Sequence, residues 1–115
     1  GLGTALSNSS KIKTNNKGQG GYIYIYLLEI EFRIYDSFSL KDKRKVIKSI
    51  LDHARNTLKI SSAELSSNDI KNYGHLGFVT ISNDNDTAKT ILEKLLTKIE
   101  TTYPVQITDY YIERI

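Results

Sequence analysis

Ser39-Leu-Lys-Asp-Lys-Arg-Lys45, continued by Lys48, concentrates the charge best suited to hold an anion: from Lys41 to Lys59 stand seven basic residues and two acids. Cations in a first helical turn oppose the helix dipole at about 0.3–1 kcal/mol each, whereas the free amides of that turn attract anions. Lys41, Lys43, Arg44, Lys45 and Lys48 therefore read as a phosphate-binding group with nucleic acid as the partner class. A solvated helix face is the plain structural alternative. Enzyme chemistry has weaker carriers. His53 and His75 have no cysteine partner and no spacing typical of a metal site, and each reads as a surface or half-buried histidine. Glu29 and Glu31 share one strand face about 7 Å apart, a spacing compatible with paired carboxylates. Pairing with Arg33 or Arg114 accounts for them at less cost. Asn83-Asp-Asn-Asp86 lacks the ligand spacing and glycine of a calcium loop and reads as a helix cap. The expectation is a non-enzymatic protein with no catalytic residues, metal or cofactor.

The elements that must position these residues follow from periodicity. Tyr22 to Ile34 is aromatic and β-branched, and from Leu28 onward Leu28, Ile30, Phe32 and Ile34 alternate with Glu29, Glu31 and Arg33, the pattern of a strand with one buried face. Ser39 followed by Asp42 is an S-x-x-D capping signal, and Leu40, Ile47, Ile50, Leu51, Ala54 and Leu58 form the apolar stripe of a helix reaching about Lys59. A weaker strand spans Ile60 to Ser66, a polar turn runs from Ser67 to Asn72, and Gly74 to Ser82 is the next strand. The Asn83–Asp86 cap opens a second helix with the stripe Ala88, Ile91, Leu92, Leu95, Leu96 and Ile99. Pro104 ends it, and Val105 to Ile115 is the last strand. The order βαββαβ predicts an α+β ferredoxin-like sandwich, a four-stranded antiparallel sheet with two helices on one face.

Composition sets the outer bounds. The chain has 115 residues, a formal charge of +3 and no cysteine, so one core is expected and disulfides, thiol catalysis and thiolate metal sites are excluded. No apolar run is long enough to span a bilayer. Residues 1–21 hold Lys11, Lys13 and Lys17, no acid and five of the seven glycines, which reads as a disordered leader, processed or expression-derived, outside the fold. The apolar Tyr22–Leu28 stretch is cut by Glu29 and Glu31 and has no small-residue cleavage site, which argues against a secretory signal. Residues 22–115 form the single expected domain. Their charges balance, so the +5 between Lys41 and Lys59 leaves −5 on the remainder.

If Leu28, Ile30 and Phe32 face the helices, parity places Ile23, Ile25 and Leu27 on the uncovered face of the sheet. A bulge or a covering loop would explain them structurally. Functionally they read as a partner interface for a second copy of the chain, or, if the phase shifts, Tyr22, Tyr24 or Tyr26 would stack on bases. The third-strand signature of the RNA recognition motif is not met. Gly74-His-Leu-Gly-Phe-Val-Thr-Ile81 lacks its leading basic residue, its following glycine and two of its aromatics.

Leu28-Glu-Ile-Glu31, Ser39-Leu-Lys-Asp-Lys-Arg44, Ala63-Glu64, Leu76-Gly77, Ser82-Asn-Asp84 and Asp109-Tyr110 together give the chain, over roughly residues 23–115, a resemblance to the small bacterial family of unknown function that includes the YlxP proteins. Tyr26, where a glycine is usual, and Tyr73-Gly-His75 depart from the family pattern. The resemblance implies a ferredoxin-like fold, a cytoplasmic protein and no established activity. It also implies a genomic place beside transcription-termination, translation-initiation and ribosome-binding factors. From this and the basic helix start, the expected partner is ribosomal RNA or a pre-ribosomal particle, with a homodimeric interaction module as the alternative.

Overall fold

The computed structural model describes residues 13–14, 21–66 and 68–115. Most of the segment set apart as a leader lies outside them, as does Ser67 of the polar turn. Lys13–Thr14 pairs antiparallel with Gly21–Tyr22 in a two-residue ladder. The main sheet has four strands, β1 (Tyr24–Ile34), β2 (Ser61–Glu64), β3 (Tyr73–Ser82) and β4 (Val105–Arg114), with helices α1 (Leu40–Asp52) and α2 (Asn85–Thr102) between them. Its spatial order is β2-β3-β1-β4 and every pairing is antiparallel. Because β1 and β2 are separated by β3, and β3 and β4 by β1, each helix crosses over a neighbouring strand. This is the ferredoxin-like arrangement that the element order implied.

The alternation in β1 sets which face is buried. Leu28, Ile30 and Phe32 are fully buried and pack with Leu76 and Phe78 of β3 beneath Ile47 and Ile50 of α1 and Leu92, Leu95 and Ile99 of α2. Each such side chain contributes about 1.5–3 kcal/mol on removal from water. Gly74 faces this core because a Cβ there would stand 2.4 Å from Phe32 Cζ, so the ring occupies the space a side chain would need. Ahead of that ring, β4 slips register against β1 between Glu31 and Phe32, a bulge at Thr108, whose hydroxyl donates to the Glu31 carbonyl.

Both helix starts lie where the capping signals placed them. Ser39 Oγ accepts from the Asp42 amide at 3.1 Å, and Asp42 Oδ2 accepts from the Phe38 amide at 3.0 Å. Asp84 Oδ2 likewise accepts from the Thr87 amide and hydroxyl, and these bonds hold its carboxyl below the usual range. The end of α1 departs from the expected continuous helix. Beyond Asp52 the chain widens into a π-helical turn, His53–Thr57, and Lys59 leaves it at φ 59°, in the left-handed region, while the Ile60 amide donates to the Ala54 carbonyl. No helix among the described residues is long and apolar enough to cross a membrane.

Candidate nucleic-acid interface and the open sheet face

Within α1 the spacing 41, 44, 45, 48 places Lys41, Arg44, Lys45 and Lys48 on one side of the helix, and all four are exposed. Like charges at three- and four-residue spacing destabilise a helix by a few tenths of a kcal/mol per pair, so this grouping is not explained by helix stability. Lys48 also bonds Asp52 at 2.7 Å, an exposed pair worth about 0.3–0.5 kcal/mol. Arg44 and Lys48 line a cleft of about 340 Å³ with Arg55 and Glu64, floored by Ile47 and Leu51. Arg55 is held there by its bond to the Ser62 carbonyl at 2.8 Å.

Lys43 does not join this group. Its side chain is 3% exposed, and its ammonium donates to Asn68 O at 3.1 Å, Asn68 Oδ1 at 3.2 Å and Ile70 O at 3.0 Å. All three donors are thereby satisfied, as a buried ammonium requires. The lysine pins the β2–β3 loop beneath the start of α1, where the Ser37 hydroxyl also donates to the Lys71 carbonyl. A sequence signal for this existed: position 43 falls in the apolar stripe, three residues after Leu40 and four before Ile47.

On the opposite side of the sheet, Ile25, Leu27, Glu29, Glu31 and Arg33 point away from the helices, as parity requires. Leu27 is nevertheless only 9% exposed and Ile23 and Ile25 are half-buried, while their neighbours Val79 and Ile81 on β3 are 38% and 69% exposed. The apolar end of this face is therefore carried by β3 more than by the residues named from β1. The phase of β1 does not shift. Tyr26 is buried on the helix side and donates to Asn85 Oδ1 at 2.6 Å, and the Arg114 guanidinium lies 4.9 Å over the Tyr24 ring. Neither ring is presented to bases on the open face.

The glutamates find partners other than the arginines expected for them. Glu29 Oε1 accepts from Tyr111 OH at 2.6 Å and its Oε2 meets His75 Nε2 at 2.7 Å, while Glu31 Oε1 accepts from Tyr73 OH at 2.5 Å. The register explains this: β1 puts Glu29 beside Tyr111 of β4, and the β3 residues facing the same way are His75 and Tyr73. Arg114 lies on the other face, over Tyr24. The hydrogen bonds from Tyr111 and His75 hold the Glu29 carboxyl below its ordinary range. The carboxylates in turn push both Tyr111 and Tyr73 up to about 12. His75 Nδ1 meets Ser66 Oγ at 2.7 Å, a contact no sequence spacing announces. No group of three or more metal-ligating side chains occurs among the described residues.

Comparison with known proteins places the chain in a family and assigns no activity. Residues 25–112 match the family model described as a protein of unknown function, DUF503. The uncharacterised protein YlxP of Bacillus subtilis (strain 168) is 32% identical over 72 residues, which cover 63% of this chain and 78% of that one. The matched segment runs from β1 into β4 and contains the cap, the basic face of α1 and the glutamates of β1, so the chain belongs to the DUF503 family, of which YlxP is an uncharacterised relative.

Proposed function

We propose that this protein is a cytoplasmic accessory factor that binds the phosphate backbone of ribosomal RNA or of a pre-ribosomal particle through Lys41, Arg44, Lys45 and Lys48. The carrying observation is the exposed cationic face of α1 on a domain whose remaining charge is negative. Glu29, Glu31, Asp109 and Glu113 on the open sheet face disfavour phosphate there, so the helix side is the contact. The ribosomal partner is supported by the genomic company that the family resemblance implies. Binding to ribosomal RNA fragments, followed by fluorescence anisotropy across a salt series, tests it. Changing Lys41, Arg44 and Lys45 together to Gln should flatten the log–log salt dependence by about 2–3, near one unit per lost phosphate contact. No association at low salt, or an unchanged slope in the variant, would sink the reading.

A second reading has its own observation. Val79 and Ile81, exposed beside Ile25 and Leu27, form an apolar patch suited to a second copy of the chain.

A further inference from the structure

The open sheet face holds a hydrogen-bonded chain of side chains that phosphate binding does not use. Ser66, in the loop after β2, places Oγ 2.7 Å from His75 Nδ1. His75 Nε2 lies 2.7 Å from Glu29 Oε2, and Tyr111 OH donates to Glu29 Oε1 at 2.6 Å. The β2–β3 loop and β1 thus meet the imidazole of β3 at its two nitrogens, and β4 braces the β1 carboxylate through Tyr111. The proton positions follow from the partners. Glu29, held below its ordinary range, is a carboxylate at neutral pH and only accepts hydrogen bonds. Nε2 of the neutral ring therefore carries the proton, and the Nδ1 lone pair faces the Ser66 hydroxyl. A hydroxyl, a base and a carboxylate that fixes the tautomer are the parts of an activated serine nucleophile, with the two ring nitrogens exchanged relative to the familiar serine-protease order.

We propose that Ser66 is a nucleophile that takes short acyl groups from activated esters and passes them to water. As the Oγ–C bond forms, His75 Nδ1 takes the hydroxyl proton. The bond from the acyl carbon to the alcohol oxygen then breaks, and that oxygen takes the proton from Nδ1. Water repeats the sequence on the acyl-serine, releasing the carboxylic acid and restoring Ser66. Glu29 is a positioning residue, and Tyr111 holds its second oxygen. The surroundings set the substrate class. Gly77 has no side chain, and the Leu65 side chain lies over it, with Cδ1 2.9 Å from where a Cβ would stand. Ala63 lies opposite Gly77 on β2. Leu65, packed over Gly77, and Ala63 make the surface beside Ser66 apolar, which suits a short uncharged acyl group, and the Glu31 and Asp109 carboxylates on the same sheet face disfavour anionic esters.

The test is intact-mass spectrometry with peptide mapping of the full chain after exposure to p-nitrophenyl acetate and, separately, to an alkyl fluorophosphonate. A single adduct on Ser66 is expected from each reagent, stable from the fluorophosphonate and decaying from the acetate as water releases it, absent in Ser66→Ala and formed about 100-fold or more slowly in His75→Asn. Glu29→Gln should slow labelling, because the amide no longer fixes the tautomer that leaves Nδ1 free to take the serine proton. A merely structural hydrogen bond would leave the labelling rate of the folded chain unchanged. Ser66 labelling no faster than in the urea-unfolded chain, adducts confined to lysines, or equal labelling of Ser66→Ala would overturn the proposal. Ser66→Ala removes one oxygen from a half-buried loop residue, so its result does not depend on His75→Asn retaining the fold. Gln replacement of Lys41, Arg44 and Lys45 should leave labelling unchanged, which separates this proposal from the phosphate-binding reading.

Discussion

Tyr73 and Tyr111 each donate a phenolic proton to a glutamate of β1, so ionising either would set a phenolate against a carboxylate. Both are accordingly pushed up to about 12 from an ordinary value near 10. The folded-state value lies above the unfolded one. Their contribution to stability is therefore complete below about pH 10 and is lost as the pH climbs through about 12. Titration of the phenolate absorbance should show two tyrosines ionising late, with Tyr111 returning toward the ordinary range in Glu29→Gln and Tyr73 doing so in Glu31→Gln. Early ionisation of both in the native chain would refute the assigned bonds. Glu29 acts with the opposite sign: its contribution is complete above the ordinary carboxylate range and is lost as the pH falls through its lowered value. These two carboxylates were legible in the sequence as a strand-face pair, but their partners come from β3 and β4, at separations that no local pattern encodes.

Among the elements, α1 divides its lysines between two tasks. Lys41, Lys45 and Lys48 project outward with Arg44, whereas Lys43 sits in the buried stripe and holds the β2–β3 loop by three carbonyl oxygens. Lys43→Met keeps the aliphatic stem but leaves those oxygens without their donor, and should cost about 1–3 kcal/mol in chemical denaturation. Amide exchange of residues 68–72 should quicken in the same variant. Its RNA salt dependence should match that of the unmodified chain, and a reduced slope would return Lys43 to the phosphate contacts. The caps at Ser39 and Asp84 were readable because an N-cap is a local device, completed within four residues. The π-helical turn at His53–Thr57 was not, since the same apolar residues satisfy either helix and the choice depends on how the chain enters β2.

For the whole molecule, the sheet separates two surfaces. The cationic side of α1 lies on the helix layer, and the apolar and acidic groups of β1, β3 and β4 lie on the opposite face. If Val79 and Ile81 mediate association with a second copy, sedimentation equilibrium should show a concentration-dependent dimer that Val79→Lys with Ile81→Lys abolishes, with RNA affinity retained. A strict monomer at all concentrations would exclude it. What the sequence determined by itself was the order of elements, the helix starts, the buried face of β1 and the concentration of positive charge in α1. All of these are encoded in spacings of a few residues. Which lysine is buried, which partners the glutamates take, and the meeting of Ser66 with His75 and Glu29 were decided only by tertiary structure. Those contacts join residues 9 to 82 positions apart, and strand order and register, rather than any local period, bring them together.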